Sequence, residues 1–87
     1  MTRTQILQKA CEIVNGSREQ EYSKPENNFA FIASLWNAYL GTQLCARDVA
    51  LMMCLLKIAR AKTGHYKEDS YIDLCGYGAI AGEMGTR

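Results

Sequence analysis

Apolar residues recur every three or four positions along most of this chain of 87 residues, and this spacing limits the possible folds more than any other feature. It is the period of an amphipathic α-helix, whereas a half-buried strand alternates at every second residue. Glycine and proline divide the pattern into helical segments at about residues 5–14, 26–40, 48–60 and 67–83. The sequence therefore predicts an all-α fold class, a small four-helix bundle in which residues 1–87 form a single helical domain.

Local signals mark where these segments begin and end. Thr4 is the predicted N-cap of the first segment, Asn15-Gly16 its stop, and Gly41 the stop of the second segment. Residues 63–66 form a short turn between the last two segments. Because so short a connection joins antiparallel neighbours, we expect an antiparallel C-terminal helical hairpin.

A monomer this small is marginal, because such a chain buries only about 60–65% of its unfolded surface. Its four cysteines show no C-x-x-C spacing and accompany a single histidine, which predicts neither a disulfide framework nor a zinc site. Cys11, Cys54 and Cys75 have apolar neighbours and are expected to be small buried side chains. Self-association remains as a way for so small a chain to bury more surface, so we expect a homo-oligomer to complete the bundle.

The third and fourth segments are the expected interface. Apolar residues occupy both faces of the third segment between Val49 and Leu56, as in a helix that is central or lies between subunits. Gly76, Gly78 and Gly82 weaken the fourth segment by about 0.8–1 kcal/mol each relative to alanine. Close approach of another helix or of a second subunit would explain their presence.

Charge and hydropathy exclude several partners. Ten basic and nine acidic residues give a net charge of +1, which predicts no general attraction to nucleic acid. No segment approaches the roughly 20 apolar residues of a membrane span, and the N-terminal residues do not resemble a signal peptide. We therefore expect a cytoplasmic protein without a membrane partner.

A cluster of charges is predicted inside the C-terminal hairpin. If the turn is centred on His65, facing residue numbers sum to about 130. Lys57 then lies near Asp73, and Arg60 near Asp69. Two cations and two carboxylates would converge between largely apolar helices.

Three interpretations of this cluster remain open. The charges can be interhelical salt bridges that fix the register of the hairpin. The carboxylates of Asp69 and Asp73 can hold Mg²⁺, which binds one or two carboxylates together with phosphate oxygens. Alternatively, Lys57 and Arg60 can bind a phosphate directly, with the two carboxylates orienting them.

A second candidate site is the polar loop that leads into the second helix. Free N–H groups at a helix N-terminus can bind an anionic group. Basic and amide side chains would reinforce that site, and a tyrosine could stack on a base; these residues are Arg18, Tyr22, Lys24, Asn27 and Asn28. The alternative is a solvated loop with an ordinary helix cap.

Two stretches carry a resemblance to a family. Residues 57–60, K-I-A-R, are followed by E-D-S-Y-I-D-L-C-G-Y at residues 68–77, and an earlier stretch reads E-Y-S-K-P-E-N-N-F at residues 21–29. Over about residues 12–84 the chain resembles small phage and prophage helical proteins of unknown function. These are similar to the nucleotide-modification-associated domain and, more remotely, to MazG-like nucleoside triphosphate pyrophosphohydrolases. If the chain is phage-encoded, its location is the host cytoplasm.

The MazG-like resemblance implies Mg²⁺-dependent cleavage of nucleoside triphosphates by an all-α oligomer. In MazG-like enzymes the metal ligands are acidic pairs on two neighbouring helices. In this chain, Asp69 and Asp73 can stand for the second pair. Glu21 and Glu26 are then the other possible ligands. The third helix, however, carries Lys57 and Arg60 where the family has carboxylates.

Cations in place of carboxylates convert a metal–phosphate site into a direct phosphate site. The sequence therefore favours a protein that needs no cofactor and binds a nucleotide or a nucleotide-derived signal, which it would sequester. The alternatives are a Mg²⁺-dependent pyrophosphohydrolase and a non-catalytic structural or partner-binding helical module.

Overall fold

The computed structural model describes residues 1–16 and 24–85, and all regular structure in these residues is helical. Helix α1 spans Arg3–Val14, α2 spans Pro25–Leu40, α3 spans Ala46–Lys62 and α4 spans Glu68–Gly85. The expected all-α fold with four helices is confirmed. No helix in the described part of the chain is both long and apolar enough to cross a membrane.

The first helix begins earlier than the sequence suggested. Thr2, not Thr4, is its N-cap. The Thr2 hydroxyl accepts a hydrogen bond from the backbone N–H of Gln5 at 3.2 Å, and the Gln5 side chain accepts one from the backbone N–H of Thr2 at 2.8 Å. The prediction of Thr4 was wrong because this reciprocal capping box needs a glutamine three residues after the cap, and only Thr2 has one.

The connection between α2 and α3 is held by one amide side chain. Gly41 ends α2 in the left-handed conformation at φ +71°, as predicted. The Asn37 carboxamide then accepts hydrogen bonds from the Thr42 hydroxyl at 2.8 Å and from the Leu44 backbone N–H at 2.7 Å, and it donates one to the Leu44 carbonyl at 2.9 Å. These bonds tie the backbone of the connection to the last turn of α2.

The core lies between α2, α3 and α4. Its buried residues are mostly small, which lets the helices approach closely; they are Phe29, Ala33, Val49, Ala50 and Ala81. The ring of Phe29 packs on that of Tyr77, with 6.0 Å between the ring centroids. Helix α1 lies outside this core, on another face of α4.

Helix α1 packs on α4 through a glycine. A Cβ atom at Gly76 would lie 3.1 Å from Cγ1 of Val14, so any side chain at this position would require Val14 to shift. Ala10 is buried in the same region of α1. Cys11, which was expected to be buried, is exposed, since it lines an open cavity between α1, α4 and the start of α2. Of the three glycines noted in the sequence, Gly76 is thus explained within one chain.

The contribution of Asp48 to the stability of the folded state, at the start of α3, depends on pH. Its carboxylate accepts a hydrogen bond from the backbone N–H of Cys45 at 2.9 Å, and this bond is the main reason that the pKa of Asp48 lies below its ordinary value of 3.8. The ionised carboxylate therefore stabilises the folded state at higher pH. That contribution is lost as the pH falls below 3.8 and through the lower pKa of the folded state.

We expect Asp48→Asn to destabilise the protein near neutral pH and to reduce the loss of stability between pH 6 and pH 3. The measurement is the urea midpoint of each protein at both pH values, followed by circular dichroism. Glu12→Gln removes one carboxylate from the surface of α1, where it makes only an exposed ion pair with Lys9 at 3.8 Å, and serves as the control for the loss of a charge. An equal pH dependence in wild type and Asp48→Asn would contradict the assigned role.

Candidate functional site

The predicted charge cluster of the hairpin contains one close ion pair. Nζ of Lys57 on α3 lies 2.9 Å from Oδ2 of Asp73 on α4. The antiparallel register is confirmed by this pair and by a second contact, in which Sγ of Cys54 lies 3.9 Å from the carbonyl oxygen of Leu74. The two side chains of the ion pair are only 15% and 25% exposed, so the pair lies partly inside the helix interface.

The hairpin turn explains why these two residues meet. Residues 63–67 connect α3 to α4, and Gly64 takes the positive φ of +73° that reverses the chain. After the reversal, α4 returns alongside α3, and residues equally distant from the turn face each other. Lys57 and Asp73 are both eight residues from His65, which places them at one level of the hairpin.

The other half of the expected cluster does not form. Arg60 and Asp69 are both exposed, and no ion pair joins them or involves either of them in the part of the chain that the structure describes. They lie nearer the end of the hairpin, where hydrated charges gain little from pairing. The expected convergence of four charges is thus wrong for this pair, and Asp69 does not orient Arg60.

The Lys57–Asp73 pair leaves part of the ammonium group unused. A lysine ammonium has three N–H donors, and the bond to Asp73 uses one of them. Partial burial strengthens the attraction between the charges but also removes water from both, so the pair adds little net stability. Its clearest physical effect is to hold the Lys57 side chain in one position, one helical turn from exposed Arg60.

An aromatic pair that the sequence did not reveal lies toward the same end of the hairpin. The rings of Tyr66 and Tyr71 have centroids 5.7 Å apart and are inclined by 30°. Tyr66 is in the connection and is 67% exposed, while Tyr71 is near the start of α4 and is 37% exposed. The sequence places Tyr66 in a turn and gives no sign of its contact with Tyr71. Residues five apart do not share a helix face, so the two rings can meet only because the chain bends between them.

The second predicted site is described only in part. Arg18, Tyr22 and Glu21 lie outside the described residues. Lys24 is the N-cap residue of α2 and Asn28 lies in the first turn; both are exposed. The Lys24 carbonyl accepts the backbone N–H of Asn28 at 3.2 Å, which begins the helix. Binding of an anion by these residues stays a prediction.

The alternative Mg²⁺ ligands are spread over different places. Asp73 is paired with Lys57, and Asp69 is exposed on the first turn of α4. Glu26 instead lines a cavity of about 290 Å³ that lies between α1, α4 and the start of α2. Among residues 1–16 and 24–85, no three side chains of the types that bind metals gather into one group. The described residues therefore assemble no set of carboxylates of the MazG-like kind.

Comparisons with known proteins give a family and no activity. The profile of the family described as Domain of unknown function (DUF6378) matches residues 5–85. The chain is 44% identical over 80 residues to the Gene 55 protein of Mycobacterium phage L5. The aligned region covers 91% of this chain and 51% of that protein. It is 42% identical over 72 residues to the Gene 55 protein of Mycobacterium phage D29. That aligned region covers 83% of this chain and 48% of the phage D29 protein.

The chain thus spans about half the length of these curated phage relatives. No solved structure matches it significantly. The expected relation to phage proteins of unknown function is confirmed by the two relatives.

Proposed function

This chain belongs to the DUF6378 family of domains of unknown function, and we propose that it binds a nucleotide or a nucleotide-derived signal without hydrolysing it. The proposed site is the turn end of the α3–α4 hairpin. Lys57 and Arg60 would contact the phosphate, and Tyr66 and Tyr71 the base. Sequestration of such a ligand would take place in the cytoplasm.

The observation that carries the proposal is the partly buried ion pair of Lys57 and Asp73. A cation that is already fixed by a carboxylate loses little side-chain entropy when it binds a ligand. The unused donors of Lys57 can therefore contact a phosphate oxygen at low cost. Asp73 acts here as a positioning residue, because it holds the ammonium and would itself repel the phosphate.

Arg60 supplies the second and more accessible cation. It is exposed and has no ion pair within the described residues, so its guanidinium can offer two parallel N–H groups to a phosphate. Its position one turn from Lys57 allows both residues to contact one phosphate group.

The tyrosine pair adds a surface for a base, since exposed aromatic rings stack on nucleobases with little preference among them. Asp69 is exposed between Tyr66 and Tyr71 in the chain. As it does not orient Arg60, its carboxylate would instead accept a hydrogen bond from a ribose hydroxyl. Phosphate, sugar and base would then each have a contact at one end of the hairpin.

We expect nucleoside mono-, di- or triphosphates to raise the melting temperature in the absence of Mg²⁺. Calorimetric titration should then show that Arg60→Gln weakens the binding about tenfold or more, because a hydrogen bond to a charged group is lost. Arg3→Gln makes the same change at an exposed position on α1 and serves as the control. Equal loss of affinity in both variants would show nonspecific attraction and contradict the site.

Two other outcomes would favour the alternative functions. Release of pyrophosphate from a nucleoside triphosphate on addition of Mg²⁺ would overturn the binding proposal in favour of a MazG-like enzyme. No response to any nucleotide, with or without Mg²⁺, would leave the Lys57–Asp73 pair as a structural salt bridge in a partner-binding module.

A further inference from the structure

The outer face of α3 is apolar and uncovered. It carries Leu51, Leu55 and Ile58, which are 46%, 64% and 50% exposed; we call these three residues the α3 outer stripe. Their spacing of four and three residues places them on one side of the helix. The opposite side carries Val49 and Ala50, which are fully buried against the neighbouring helices. We propose that a second copy of this chain packs on the α3 outer stripe and forms a two-fold symmetric dimer.

The accessible surface of the chain is large enough to include the interface of a stable dimer. It measures 6371 Å², whereas a compact monomer of 9.7 kDa exposes about 5,100 Å². The surplus exceeds the roughly 800 Å² that each partner buries in an interface of standard size. A chain of these dimensions can therefore lose the area that a stable dimer needs.

Two glycines of α4 give an independent reason. Within residues 1–16 and 24–85, a Cβ atom at Gly78 or Gly82 would have no other atom within 4 Å, so none of these residues requires a glycine there. The register that pairs Lys57 with Asp73 puts Gly78 and Gly82 beside the first half of α3, level with Met52 and Asp48. A helix of the second copy can approach the backbone of α4 closely where side chains are missing.

The charges at the ends of α3 favour an antiparallel arrangement. Asp48 and Lys62 each lie seven residues from Leu55, on the same side of the helix as the α3 outer stripe. If two α3 helices cross antiparallel at Leu55, Asp48 of one chain lies near the partner subunit's Lys62, and the same contact is repeated by symmetry. A parallel arrangement would instead bring like charges together.

The test is sedimentation equilibrium of the intact chain between about 1 and 200 μM. We expect wild type to form dimers and Leu55→Glu to raise the dissociation constant by a factor of ten or more, with unchanged helicity by circular dichroism. Because Leu55 is exposed in a single chain, the variant should still fold. Leu35→Glu, at a 55% exposed position on α2, is the matched control and should dimerise like wild type.

A wild-type chain that stays monomeric at 200 μM would overturn the proposal and leave the α3 outer stripe to another protein or to another part of a longer polypeptide. Loss of dimers in Leu35→Glu but not in Leu55→Glu would also overturn it, because the interface would then lie on α2. Neither result depends on whether the chain binds nucleotides.

Discussion

Replacement of Phe29 by alanine is expected to lower the free energy of unfolding by about 3–4 kcal/mol. Phe29 is 7% exposed and is the largest side chain among the buried residues of the core. The other buried residues of this core are alanine and valine, so Phe29 is the only ring among them. The contact with the ring of Tyr77 would be lost as well.

Urea denaturation followed by circular dichroism measures this loss. Phe31→Ala is the control, because it makes the same change two residues further along α2 at a position that is 64% exposed. We expect its effect to stay within about 0.5 kcal/mol. A similar cost for both substitutions would mean that α2 does not bury the side that the structure assigns to the core.

Replacement of Gly76 by leucine is expected to separate α1 from α4, at a cost of about 1–3 kcal/mol. A Cβ atom at this position would lie 3.1 Å from Cγ1 of Val14, so a leucine must push Val14 of α1 aside even if its outer atoms enter the cavity that Gly76 also lines. With 12 residues, α1 is too short to remain helical in water without packing. The variant should therefore show faster amide hydrogen exchange in α1, while α2 and α3 stay protected.

Gly78→Leu is the matched control, since the space around Gly78 is open. At a concentration that keeps the chain monomeric, we expect this variant to be more stable than wild type by up to about 0.8 kcal/mol, because leucine favours the helix more than glycine. If Gly76→Leu were equally stable, close packing of α1 on α4 would be excluded.

The register of the hairpin could be predicted because it depends on few quantities. A short turn fixes which residues face each other, so Lys57 and Asp73 could be paired by counting outward from His65. The same count could not decide whether Arg60 reaches Asp69. That outcome depends on solvent exposure at the end of the hairpin, where hydration of each charge competes with the ion pair.

Some features of the helix ends could also be predicted from the sequence, and others could not. Gly41 was predictable because almost no other residue takes a left-handed conformation without strain. Thr2 and Thr4 have the same side chain, and their difference depends on the partner at the third helical position. The bonds of Asn37 across seven residues have no local signal at all.

By itself, the sequence determined the four helices, the antiparallel hairpin and the apolar character of both faces of α3, since these follow from periodicity and chain connection. The tertiary structure alone decided which of those faces is buried and that α1 packs on α4 at Gly76. It also decided that Tyr66 and Tyr71 pair across the start of α4. The physical reason is that a periodic pattern specifies how apolar a face is, while burial depends on which other helix lies against it.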